Sequence, residues 1–226
     1  MRTRALALAA LAVALAGCGS AKSSSGSATL WVTRDRGAVV LHAERVPADE
    51  SVMQALDRVA SVKTRFGGRY VRSVDGVTEQ SRRSWFFYVN GYLADRSAAD
   101  YRLRAGDVAW WDYRAWRDPA QDPVVLGAFP QPFLSGYDGR RRPTIVLSTD
   151  PRARQVAKRL HATLVARPTV TREMSGGANL LVLGAGPTQI RMAGSSPGSP
   201  VRMSFAGDPR LLLQSRPLRY RYGDGG

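Results

Sequence analysis

An α+β fold in two parts is predicted for this 226-residue chain: a small sheet with one helix, followed by a second small α/β domain. Three observations predict it. Apolar runs of strand length are separated by turn dipeptides such as Asp75-Gly76 and Asn90-Gly91, the pattern of strands joined by tight turns. One helical stripe interrupts them in the first half (Val52, Leu56, Val59) and one in the second (Val156, Leu160, Leu164). Between the halves, Asp118-Pro119-Ala120-Gln121-Asp122-Pro123 leaves no room for a periodic element, which puts a boundary near 118–125.

Leu30 to Thr33 and Ala38 to Leu41 read as strands around a turn at Arg34 to Gly37. A helix follows, capped by Ser51 or Asp49, with Val52, Leu56, Val59 and Val62 on its buried face. Tyr70 to Val74 alternates as a strand. Ser84 to Val89 is a strand that returns through Asn90-Gly91 into Tyr92-Leu93, because a tight hairpin turn needs positive φ and Asn-Gly supplies it. Arg104-Ala105-Gly106-Asp107 turns into the aromatic strand Val108 to Trp116. In the second half Thr144 to Ser148 is a strand, and Thr149-Asp150-Pro151 caps and opens a helix of about 14 residues, where proline loses nothing because its missing N–H would be unpaired. Asn179 to Leu183 is a further strand, and Val201 to Ala206 and Leu211 to Leu213 add others.

The composition excludes several functions. One cysteine allows neither an internal disulfide nor a multi-cysteine zinc site, and two isolated histidines, His42 and His161, offer no ligand spacing. No Gly-x-Ser-x-Gly elbow is present, and Gly184-x-Gly186 is followed by Pro187 and lacks the third glycine of a dinucleotide loop. The chain is therefore expected to be non-enzymatic, with no cofactor and no metal. A formal charge of +15 would suggest a polyanion partner. However, 30 of the 33 cationic residues are arginine, and residues 28–118 hold 15 cationic against 12 acidic side chains. The excess lies in 119–226, with 15 against 6, and no nucleic-acid partner is expected.

Arg2 and Arg4 precede an apolar run from Ala5 to Ala16 that is too short to span a bilayer and has signal-peptide proportions. It ends in Leu15-Ala16-Gly17-Cys18, which resembles the lipobox of bacterial lipoproteins. That resemblance implies cleavage of residues 1–17, acylation of Cys18 (palmitate among the acyl chains), and residence on the outer face of the cytoplasmic membrane. The remaining 209 residues would carry 31 cationic and 18 acidic side chains. Gly19 to Ser27 is a flexible Gly/Ser-rich coil, so residues 18–28 form a tether with a reach of roughly 15–18 Å.

Residues 29–118 carry a second resemblance. A helix with Val52, Ala55 and Leu56 is followed by Tyr70-Val71-x-Ser73-Val74-Asp75-Gly76, then Trp85-x-x-Tyr88-Val89-Asn90-Gly91, then Gly106-Asp107-Val108 and an aromatic strand. This order resembles the transcobalamin C-terminal-like domain of bacterial surface proteins, the domain of unknown function 4430 type. The resemblance implies a β-grasp-like sheet on one helix. It also implies capture of a ligand, since the corresponding domain of animal cobalamin carriers closes over the corrinoid. Those carriers add a large helical barrel, for which this chain has no periodicity, so a corrinoid would be held weakly or beside a partner, such as a transporter component. The segment 119–142 reads as a linker and 143–226 as a basic α/β domain of no recognised family.

Aromatic rings bury large areas at little entropic cost, so the candidate ligand residues are Trp111, Tyr113 and Trp116 at the strand exit, with Tyr88 and Asn90. Asn90-Gly91 and Gly106-Asp107 are most simply explained as turn residues required by backbone geometry. The expected function is a lipid-anchored, extracytoplasmic ligand-binding or transporter-accessory protein. The alternative is a cell-envelope interaction protein whose basic C-terminal half, including Arg140 to Arg142, binds anionic lipid or wall polymer.

Overall fold

In a computed structural model the described residues are 26–115, 126–166, 176–193 and 196–214. Cys18, Trp116, the 116–125 boundary and the basic tail Arg216 to Arg221 lie outside them.

β1 (Ser27–Arg34) and β2 (Val39–Pro47) form a hairpin longer than the predicted one. Its turn places Asp35, Arg36 and Gly37 at positive φ. The buried Asp112 accepts from the Arg36 and Gly37 amides at 3.0 and 3.2 Å, and this bond to a distant strand stabilises the turn. α1 (Val52–Val59) begins at Ser51, not Asp49: Ser51 Oγ accepts from the Gln54 amide and the Gln54 side chain accepts from the Ser51 amide, a capping box that satisfies two otherwise orphaned donors. The helix stops before Val62, which instead opens β3 (Val62–Arg65), paired antiparallel with β4 (Tyr70–Val74). The predicted helical stripe overran because a β-branched residue three positions on fits either period. β5 (Val77–Thr78) completes this three-stranded sheet.

β6 (Arg83–Val89), β7 (Tyr92–Leu93) and β8 (Val108–Ala115) join β1 and β2 in a five-stranded sheet of order β2-β1-β8-β6-β7. β8 runs parallel to β1 and antiparallel to β6. α1 buries Val52, Ala55 and Leu56 in the core that holds Leu30, Val32, Val89 and Trp111. The opposite face carries Phe86, Tyr88 and Trp110 and is buried as well, against Ala128. With both faces covered, β8 loses the inside–outside alternation of a half-buried strand.

The segment read as a linker is packed where it is described. A 3-10 turn (Leu126–Ala128) and α2 (Gln131–Leu134) precede a loop in which Tyr137 stacks near Tyr92 and Tyr101 at 5.6 and 5.4 Å. Phe133 is completely buried.

The second sheet has the order β10-β9-β11-β13-β12, with β9 (Thr144–Leu147), β10 (Thr163–Val165), β11 (Asn179–Gly184), β12 (Gln189–Ala193) and β13 (Arg202–Ala206). All neighbours are parallel except β12 and β13. Three expectations are corrected here. α3 (Ala153–Arg159) has 7 residues, because His161 adopts positive φ and Leu164 belongs to β10. Leu211 to Leu213 form a 3-10 turn (Pro209–Leu213) capped by Asp208, whose side chain accepts from the Arg210 amide. β12 was not expected, since its residues alternate on a mostly polar edge. Strands with few helices, in separate sheets, make this an α+β protein.

Candidate functional site

Alternation along β6 and β8 decides what each predicted site residue does. Register pairs Trp85 with Tyr113 and Phe87 with Trp111, so these four rings share the face toward α1. Tyr88 pairs with Trp110 on the other face, where it is wholly buried and Tyr88 Oη accepts from Arg114 at 3.3 Å. Tyr88 is therefore a core residue as the chain stands. Tyr113 is buried also; its hydroxyl donates to the Thr78 carbonyl at 2.9 Å, and beside it Trp85 Nε1 donates to the Val77 carbonyl at 3.0 Å. Both rings hold β5 against the sheet.

Asn90 is the centre of a buried lock. Its φ of 50° is the left-handed conformation that asparagine tolerates best after glycine. Nδ2 donates to Asp107 Oδ1 at 2.7 Å and to the Gly136 carbonyl at 2.8 Å, while Oδ1 accepts from the Val108 amide at 2.8 Å. Asp107 Oδ2 in turn accepts from the Arg104 amide at 2.9 Å. The two turn motifs bond to each other and to the 126–142 segment. Burial pushes the Asp107 carboxyl up, and the Asn90 and Arg104 donors oppose that shift. Asp112 behaves alike: burial raises its carboxyl against bonds from Thr33 Oγ1 and the hairpin amides.

Of the predicted residues that are described, Trp111 lines a groove. A groove of about 260 Å³ lies between β4, the 93–98 loop and the β6–β8 face. Phe87, half-buried, stacks on Trp111 with centroids 4.8 Å apart and planes tilted by 30°. Leu93 and Val71 add apolar wall, and one end carries a hydrogen bond between Tyr70 Oη and Ser84 Oγ. Two guanidiniums flank the groove: Arg69, paired with Asp100 at 3.7 Å, and Arg96, paired with Asp95 at 2.9 Å. Trp111 is 3% exposed, and its Nε1–H has no acceptor among the described residues. Such a buried donor costs about 1–3 kcal/mol until an acceptor reaches it. The arrangement suits an apolar planar group laid against the Phe87 ring. Among the described residues no three or more His, Cys, Asp or Glu side chains converge on a metal position, and no helix is long and apolar enough to cross a membrane.

Sequence reasoning missed Phe87, Tyr70, Leu93, Arg69 and Arg96. Alternation could have placed Phe87 beside Trp85, but only the packing of β4 and the 93–98 loop shows which rings remain reachable.

Comparison with known proteins adds the following. Residues 49–115 match the family model described as "Domain of unknown function (DUF4430)". A crystal structure of a candidate metal-binding protein from Ruminococcus gnavus is similar at a TM-score of 0.33 and 15% identity, covering 40% of this chain and 97% of that one. Haptocorrin in complex with Cbi is similar at a TM-score of 0.34 and 12% identity, covering 40% of this chain and 26% of that one. No curated protein sequence matches the chain. The capping-box helix, the Asn90–Asp107 lock and the aromatic strand β8 all fall within the span matched to that family model.

Proposed function

We propose that the chain is a lipid-anchored, extracytoplasmic, non-enzymatic ligand-binding or transporter-accessory protein. Its groove takes one face of a planar ligand, and corrinoids are the class to test first. The observation that carries the binding reading is the Phe87–Trp111 stack at the wall of the groove. A groove of about 260 Å³ is smaller than the roughly 300–1,000 Å³ of pockets that engulf drug-sized ligands, so it holds a face or an arm of the ligand and leaves the rest to a partner. Anchoring is supported by Leu15-Ala16-Gly17-Cys18 and the coil behind it, both read from sequence alone.

Calorimetric titration with cobinamide and cobalamin tests the ligand. Saturable binding below millimolar is expected, weakened about tenfold in Phe87→Ala, which corresponds to roughly one lost aromatic contact. Absence of binding below millimolar refutes the corrinoid assignment, and a planar compound that binds independently of Phe87 refutes the groove. Cys18→Ser tests the anchor separately: the protein should leave the membrane fraction, and its retention there would overturn that part.

A further inference from the structure

A second cavity, of about 570 Å³, shares Arg96 with the groove. Three loops form it: the one after β7, the 137–142 segment before β9, and Ser196 to Pro200 before β13. Its charge is uneven. Asp95 accepts from Arg96 at 2.9 Å and from Tyr137 Oη at 2.6 Å, and Asp138 accepts from Arg96 at 3.3 Å and Arg104 at 3.2 Å. Two carboxylates are thus matched by two guanidiniums. Arg140, Arg141 and Arg142 add three positive charges, and among the described residues none of them has a carboxylate within 4.0 Å.

Arg142 is fixed in place. Its Nε donates to the Gly198 carbonyl at 2.7 Å and one Nη to the Gly177 carbonyl at 2.9 Å. Neutral carbonyls satisfy two of its five N–H donors and leave its charge uncompensated. The facing loop is equally set: Ser199 Oγ donates to the Ser196 carbonyl at 2.6 Å, and Tyr92 Oη donates to the Ser199 carbonyl at 3.0 Å. Solvated surface arginines are ordinarily mobile, whereas here a half-buried guanidinium is held rigid at the wall of a cavity beside two further guanidiniums. Planar guanidinium forks match the oxygens of phosphate, and an excess of three charges suits a dianion.

We propose that this cleft binds a phosphate-type oxyanion on a small organic group, held by Arg140, Arg141 and Arg142. The cavity is far larger than phosphate alone and falls within the size range of small-molecule sites. A membrane phospholipid headgroup and a soluble phosphate ester present the same chemistry. The proposal does not depend on the aromatic groove, and the two sites share only Arg96.

The full chain in neutral detergent, titrated with glycerol phosphate and with short-chain phosphatidylglycerol, tests it, with phosphatidylcholine as the zwitterionic control. Saturable binding of either anionic probe, reduced at least about tenfold in Arg140→Gln/Arg141→Gln, is the expected result. Binding of glycerol phosphate identifies a soluble ester as the source; binding of phosphatidylglycerol alone identifies the headgroup. Neither probe binding at about 10 mM, or equal binding by native and double-variant chains, overturns the proposal. Unfolding followed by tryptophan fluorescence checks that the variant is folded. Should the double variant fail that check, Arg140→Gln alone, whose side chain has no bonded partner among the described residues, takes its place under the same criteria.

Discussion

Asn90→Ala separates a structural role from a ligand-binding one at a position that sequence offered for both. The substitution removes three hydrogen bonds at a side chain with 0% exposure. It strands the Val108 amide and the Gly136 carbonyl, and takes from the Asp107 carboxylate one of its donors. A neutral bond contributes about 0.5–1.5 kcal/mol and one to a charged group about 1.5–3. Holding alanine at a φ of 50° adds about 1 kcal/mol. Allowing for relaxation, the expected loss is about 3–5 kcal/mol, a large part of the 5–15 kcal/mol that stabilises a typical domain. Urea unfolding read by tryptophan fluorescence is a suitable assay, because all five tryptophans lie in residues 31–116. Asn90→Asp sharpens the test by placing a second carboxylate oxygen where Nδ2 lies, 2.7 Å from Asp107. Repulsion raises both folded-state pKa values above the unfolded ones, so this variant loses stability as pH rises past about 4 and regains part of it on acidification. A loss below about 1 kcal/mol in Asn90→Ala, together with weakened ligand binding, would refute the lock and return Asn90 to a binding surface.

Further predictions concern other elements. Asp75 accepts from His42 Nε2 at 2.6 Å and from the Ser61 amide at 2.8 Å, and these bonds hold its carboxyl below the usual value. Its contribution is therefore complete above about pH 4 and is lost as pH falls through the lowered folded pKa. Asp75→Asn should flatten stability between pH 2 and 5 by under about 1 kcal/mol, since the pair is partly exposed; an unchanged acid slope would contradict this. Gly136 has a φ of 67°, and a Cβ there would sit 2.2 Å from the Arg140 carbonyl oxygen, so Gly136→Ala should cost at least about 1–3 kcal/mol in unfolding and weaken anion binding by displacing the arginine loop. Unaltered stability would show that the loop adapts. Phe133→Ala, at a completely buried ring packed on Phe129, should cost about 3–5 kcal/mol, measurable as a lowered Tm.

The parts legible in sequence were those governed by local rules. Ser51 caps α1, with Gln54 completing the box; Asn90-Gly91 and Asp75-Gly76 turn where positive φ is needed; and β8 runs through the aromatic segment. Errors arose where short range is ambiguous. Val62 and Leu164 continue a helical stripe as well as they begin a strand, and partners β4 and β9 chose the strand.

Sequence by itself therefore determined the class of the protein and its turns and caps, because each depends on residues a few positions apart. The site was decided only by tertiary structure. Tyr88, Tyr113 and Trp111 are all aromatic residues of buried strands, yet one lies on the covered face, one clasps β5, and one lines a groove. Sequence offered Arg140 to Arg142 only as part of a basic half; the Ser196–Pro200 loop, more than 50 positions away, is what makes them the wall of a cavity. Burial and charge compensation are set by neighbours in space, and long-range pairing alone specifies those neighbours.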